Sequence, residues 1–249
     1  DMSGRELLAA IKSSMAELAQ MNENNIYGRL ETEIEGTKTE DWANAWRQYF
    51  HTMEIGEKIL VKPQWEELTE PTDRVVFNIN PGMSFGTGSH ETTQLCLSQL
   101  EKYVTPGCRM LDLGCGSGIL SVVSLLLGAE SAVAVDIDPN CIDTAYENAD
   151  MNNIDRDRYT VISGNVLTDP DVKEVISQHK YEVVAANIVA DVIIGLAPAA
   201  RLYMKEGGVF ITSGIIDGRQ EEVKSALIDA GFSIANMERR KDWWSIVCK

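Results

Sequence analysis

Apolar positions recur along this chain with two different periods, and the regions where each dominates mark its organisation. Near the start, Leu7, Leu8, Ile11, Met15 and Leu18 fall at helical intervals behind Ser3 and Glu6, which have capping-box spacing. This predicts a helix stopped by Asn22 to Asn25. Residues Ile26 to Ile34 then alternate apolar and polar, as a half-buried strand does. From Asp41 a further helix is expected, with Trp42, Trp46, Tyr49 and Phe50 on one packing face. Lys58 to Val61 and Arg74 to Ile79 read as strands, with Pro63 and Pro71 in the segment between them.

From about Tyr103 the pattern changes to strands alternating with helices. Short apolar runs at Arg109–Leu113, Ser131–Asp136, Tyr159–Ser163, Glu182–Asn187 and Val209–Thr212 predict buried strands. Helices are expected over Ile119–Leu127, Pro139–Met151, Ile193–Met204 (stopped at Gly207-Gly208) and Glu221–Ala230, and strands again at Phe232–Ala235 and Trp244–Val247. Continuous apolar strands separated by helices mean a parallel sheet covered on both faces. The link Asn236 to Asp242 is too short for a parallel crossover, so the last two strands pair antiparallel. The expected fold is α/β, a Rossmann-like seven-stranded sheet with an antiparallel last strand, preceded by a partial N-terminal α+β domain. Residues 1–55 are assigned to that domain and its linker, and residues 56–249 to the main domain. The N-terminal elements make a thin core, and the chain opens on Asp1, so part of that first domain is expected to be missing.

Charge narrows the partners. Lys and Arg number 22 against 38 Asp and Glu, a net charge of −16, which disfavours a nucleic-acid-binding surface. An acidic surface suits a basic partner, and also plain solubility. The longest apolar stretch, Ile119 to Ala129, is broken by Ser121 and Ser124 and falls short of the ~20 residues that cross a bilayer. No leader pattern stands at the start, so neither secretion nor a membrane is expected. Five cysteines (Cys96, Cys108, Cys115, Cys141, Cys248) form no C-x-x-C pair, and the three histidines are scattered. No disulfide framework and no metal site is expected, and a reducing cytoplasm fits.

The chemistry concentrates at Asp112-Leu113-Gly114-Cys115-Gly116-Ser117-Gly118, between a predicted strand and a helix. Ligands of open α/β sheets bind outside the carboxyl ends of the strands. Glycines at alternate positions let a ligand lie against bare main chain. The spacing is G-x-G-x-G, not the dinucleotide-binding G-x-G-x-x-G, because position 119 is Ile. Asp136 ends the next strand, 22 residues beyond Gly114, where a carboxylate accepts both hydroxyls of a ribose and repels a 2′-phosphate. Asp138 reads as the N-cap of the following helix, ahead of Pro139. Asn165 either reaches an adenine edge or serves its own turn. Asn187 closes the fourth strand of this series, and its carbonyl can accept a hydrogen bond from an incoming amine. Cys115 has no neighbouring base and is read as a small loop residue rather than a nucleophile.

Asn80-Pro81-Gly82-Met83-Ser84-Phe85-Gly86-Thr87-Gly88-Ser89-His90-Glu91-Thr92-Thr93 resembles the signature of the bacterial methyltransferases that modify protein eleven of the large ribosomal subunit. The likeness continues through the glycine loop, Ala186-Asn187-Ile188, Ile211 to Ile216 and Asp242-Trp243, covering roughly Thr39 to Lys249. It implies a class I enzyme that moves methyl groups from S-adenosylmethionine, leaving S-adenosylhomocysteine, to lysine or N-terminal amines of a basic ribosomal protein. By the same resemblance Thr93, Gly114, Asp136 and Asn187 contact the donor, joining Gly116 and Asn165. Phe85, Gly86 and Thr87 line the donor site at its mouth, where His90 and Asn187 meet the amine. His90 is either a base, a cap of the helix beginning near Ser89, or a substrate contact. A monomer acting in the cytoplasm, without nucleic acid or membrane, is expected. The competing readings are a methyltransferase of this fold acting on RNA or a small molecule, a nicotinamide dehydrogenase, and a donor-binding module without its substrate domain.

Overall fold

The computed structural model describes residues 4–22, 26, 28, 30, 50–80 and 87–249. The chain divides into two compact units, Asp1–Tyr49 and Phe50–Lys249. In the first, the predicted amphipathic helix forms as α1 (Gly4–Gln20). The Ser3 and Glu6 side chains, most of the strand expected over 26–34 and the helix expected from 41 lie outside the described residues.

The second unit opens with a small mixed sheet. β1 (Met53–Ile55) pairs antiparallel with β2 (Ile59–Pro63), which runs parallel to β3 (Val75–Ile79). The pairing ties Met53–Ile55 to the second compact unit, which begins at Phe50. Three residues with one buried side chain carry too little pattern for β1 to be read from sequence.

After helix α2 (Glu91–Tyr103) comes the alternating region: β4 (Arg109–Leu113), α3 (Ile119–Leu126), β5 (Ser131–Asp136), α4 (Asn140–Met151), β6 (Tyr159–Ser163), α5 (Pro170–Ser177) and β7 (Tyr181–Asn187). It continues with α6 (Ala190–Tyr203), β8 (Met204–Ile216), α7 (Gln220–Asp229), β9 (Ile234–Arg240) and β10 (Trp243–Cys248). The seven strands of the large sheet lie in the order β6-β5-β4-β7-β8-β10-β9. β4 to β8 pair parallel, and β10 inserts antiparallel between β8 and β9. Buried Leu111, Leu113, Val184 and Phe210 form the core of the sheet.

Three expectations change. α5 has no counterpart in the apolar pattern, because only Val172 and Ile176 are buried; Asp169 caps it and Pro170 begins it. The glycine pair 207–208 does not stop a helix. α6 ends at Tyr203, and β8 runs on through both glycines, where its register against Tyr181 and Val183 shifts. A bulge uses the positive φ of Gly207 (+76°). β9 also extends to Arg240, so only Lys241 and Asp242 turn the chain into β10. Among the described residues no helix is long and apolar enough to cross a membrane, and no group of three or more His, Cys, Asp or Glu could hold a metal.

Candidate functional site

The order β6-β5-β4-β7-β8 reverses direction at β4, where the crossovers leave a crevice outside the strand ends. A cavity of about 1180 Å³ opens there, above the ~300–1,000 Å³ usual for a small-molecule site. It has two walls.

One wall is the glycine loop. Gly114 and Cys115 donate their N–H groups to the Val135 carbonyl at 2.8 and 3.1 Å. Asp136 then ties the loop to the end of β5: one carboxylate oxygen accepts from Gly116 N (2.8 Å) and the other from Asp138 N (3.0 Å). A carboxylate has about four acceptor positions, so these two bonds do not exhaust its capacity. Asp138 accepts from Asn140 N at 3.0 Å just ahead of α4, but the N-cap position itself is Pro139, one residue later than expected. Gly114 and Gly116 both have positive φ (+80° and +52°). At Gly114 the bare main chain also makes room for Ile188: a Cβ there would meet Ile188 Cγ2 at 2.4 Å. Asn165 lines the cavity, and its side-chain oxygen already accepts from Leu167 N at 2.9 Å. Its turn role is therefore real.

The other wall is Asn187 with its neighbours. Asn187 Nδ2 donates to Thr93 Oγ1 at 3.2 Å, while Asn187 Oδ1 is buried with no hydrogen-bond partner. Such an orphaned acceptor costs about 1–3 kcal/mol unless a ligand satisfies it. His90 and Trp243 share this wall, ring centroids 5.1 Å apart in an edge-on contact. His90 is the N-cap of α2, with Nδ1 accepting from Thr92 N at 3.3 Å.

A sequence profile described as Ribosomal protein L11 methyltransferase (PrmA) matches residues 5–249. The chain belongs to that family. The Ribosomal protein L11 methyltransferase of Lachnoclostridium phytofermentans is 39% identical over 263 residues, spanning 100% of this chain and 79% of the relative. The crystal structure of ribosomal protein L11 methylase from Lactobacillus delbrueckii subsp. bulgaricus aligns with a TM-score of 0.72 at 28% identity. That alignment covers 80% of this chain and 98% of the other. A putative methyltransferase complexed with SAH (TM-score 0.54, 13% identity, 65% and 50% covered) shares the fold alone. The chain is a class I methyltransferase whose cofactor is S-adenosylmethionine.

Within this member of the L11 methyltransferase family, the expected site residues separate. Gly114, Gly116, Asp136, Asn165, Asn187 and His90 meet on the cavity. Thr93 does not. It is fully buried and reaches the cavity only through Asn187, whereas Thr92 lies on the wall. Thr87 is hydrogen-bonded to Ser89 at 3.1 Å and is not among the lining residues. Phe85 and Gly86 lie outside the described residues.

Beneath the glycine loop, Asp112 is fully buried and its carboxyl is pushed up to about 7 by loss of solvent. Hydrogen bonds from Ser121 N (3.2 Å) and Oγ (2.6 Å) oppose that shift. Burial also drives the Cys115 thiol well above its ordinary range, which removes it as a nucleophile. The sequence reading missed the apolar wall: Ile137 (76% exposed), Leu167, Val189 and Val192. Ile137 and Val189 are signalled only by position just past a strand end, and Val192, inside α6, has no signal that sets it apart from an ordinary core residue.

Proposed function

We propose that this enzyme transfers methyl groups from S-adenosylmethionine to amino groups of ribosomal protein L11, on lysine side chains or the N-terminal α-amine, with Asn187 receiving the amine. The buried, unpaired Asn187 Oδ1 carries this reading. Its partner atom Nδ2 is already held by Thr93, so the atom of the carboxamide left without a partner is an acceptor and not a donor.

The residues on the other wall fit the cofactor. Asp136 offers acceptors for a ribose, and exposed Ile137 and Leu167 offer apolar faces to a flat purine. Asn165 supplies an amide donor for the ring edge, and Gly114 and Gly116 keep side chains off the main chain beside it. When bound, S-adenosylmethionine supplies an electrophilic methyl group on a sulfonium.

A lysine of pKa ~10.4 must lose a proton at a cost of roughly 4–5 kcal/mol at pH 7, and an α-amine of pKa ~7.7–8 only about 1 kcal/mol. A neighbouring cation lowers either pKa, so orientation of the lone pair matters more than a base. Asn187 Oδ1 orients the amine by accepting one N–H. His90 is the cap of α2 and its Nδ1 is engaged there, so its role is to support the wall. The net charge of −16 complements a basic protein substrate. The first unit is proposed as part of the substrate-recognition region, acting as a monomer in the cytoplasm.

Mixing the protein with labelled S-adenosylmethionine and purified L11 tests this directly. Wild type should label L11, and Asn187→Ala should lose about 100-fold in turnover while calorimetry shows nearly unchanged donor affinity. Donor binding by wild type with no label on L11 would sink the proposal.

A further inference from the structure

Ile188 follows Asn187 directly and lies on the cavity wall between two main-chain surfaces. Its side chain sits on the glycine loop, with Cγ2 2.4 Å from where a Cβ of Gly114 would stand. Its backbone lies flat on β8: a Cβ on Gly214 would come within 2.3 Å of the Ile188 oxygen, 2.8 Å of its carbonyl carbon and 3.1 Å of its nitrogen. Gly214 has φ +86°, a conformation that L side chains rarely adopt, and Ile188 N donates to the Ser213 carbonyl at 3.1 Å. Both approaches exist only because the facing residues lack side chains.

An isoleucine in an ordinary core packs against other side chains, which yield by changing rotamer. Here the side chain packs against the core too, but it also abuts the main chain of Gly114, while the Ile188 main chain is itself seated on Gly214, and main chain yields far less. The residue so held is the neighbour of Asn187, whose carboxamide has one described anchor, Thr93 Oγ1.

We propose that Ile188 is a positioning residue for methyl transfer: clamped between Gly114 on the donor loop and Gly214 on β8, it sets where the Asn187 acceptor stands relative to the donor. This rests on the reading of Asn187 and the glycine loop given above. A misplacement of ~1 Å between reacting groups can cost about 100-fold in rate, so the clamp acts on kcat and not on donor binding.

The test uses the full chain with Ile188→Val, Ile188→Ala, Gly114→Ala, the double variant Gly114→Ala/Ile188→Ala, and Asn187→Ala as reference. Ile188→Val keeps the branched carbon and should retain kcat within about threefold, whereas Ile188→Ala should lower kcat ~10–100-fold with donor affinity within about threefold. In the free protein, Ile188→Ala should also speed amide hydrogen exchange over residues 187–190 and leave the Gly114 amide protected. Gly114→Ala should lower kcat by pushing Ile188 aside. Adding Ile188→Ala should then recover activity at least about threefold, because the nearest neighbour of the new Cβ is gone.

If Asn187→Ala loses turnover but Ile188→Ala keeps it, the clamp alone is overturned. Losses that simply multiply in the double variant overturn it too. If Asn187→Ala itself keeps full turnover, the acceptor reading falls and the clamp falls with it.

Discussion

Gly116 and Asp136, which tie the proposed donor wall together, stand 20 residues apart in the chain, whereas Asn187 and Thr93, which anchor the proposed amine wall, stand 94 apart. The donor wall is a single strand–loop–helix–strand unit, β4 to β5, closed by backbone hydrogen bonds to Val135 and by one carboxylate. The amine wall exists only where α2 packs on β7 and β8 and where β10 brings Trp243 beside His90. One wall therefore depends on local geometry and the other on tertiary packing. Damage to either should be separable by measuring donor affinity and turnover side by side.

The largest effect is expected at the donor wall. Asp136→Ala removes the acceptor for two backbone N–H groups and for the proposed ribose contact, and should weaken donor affinity by about 100-fold or more in calorimetry. An affinity within about fivefold of wild type would take Asp136 out of the donor site.

A smaller and opposite split is expected at Thr93. Thr93→Val keeps the shape but leaves Asn187 Nδ2 without its partner, so turnover should fall about tenfold with donor affinity little changed. An equal fall in both quantities would mean that the two walls are one cooperative structure.

Asp112 offers a pH lever on the donor wall alone. Its folded-state carboxyl titrates at about 7 against an ordinary 3.8, so the folded protein binds this proton more tightly than the unfolded chain does. Its contribution to stability is present in full below the ordinary value and is lost as pH rises from about 4 through about 7. Asp112→Asn, which keeps an acceptor for Ser121, should flatten that slope in denaturant titrations at pH 5 and pH 8. Thr93→Val should leave the slope as it is. A slope unchanged in Asp112→Asn would assign the pH dependence to other groups.

His90→Ala should have the smallest effect, losing about 1 kcal/mol of stability with the N-cap and less than tenfold in turnover. A drop of the 10²–10⁴ expected of a general base would give His90 that role after all.

These contrasts also explain what could be read in advance. The alternation from β4 to β10 follows from apolar runs, and β5 and β6 form at the positions that those runs indicate. The glycine loop and Asp136 are legible because their chemistry is local: a turn at a strand end, and an acid one strand along. α5 is not legible, since two buried residues make no clear period. Nor is the bulge in β8, where a glycine pair has the same composition as a helix stop. Thr93 matches the family signature, yet nothing in that signature distinguishes a residue touching the donor from one holding Asn187 behind it.

Composition and order along the chain thus determined the α/β class, the antiparallel final pair of strands and the carboxylate that closes the donor loop. Each of these depends on neighbours within one or two elements. Only the folded molecule decided that Asn187 keeps a buried oxygen without a partner, that Thr93 holds its amide nitrogen, and that Ile188 is seated between two glycines 100 positions apart. Those facts depend on which surfaces meet when helices cover a sheet, and close packing fixes such meetings through shape, which a linear pattern of polar and apolar residues does not encode.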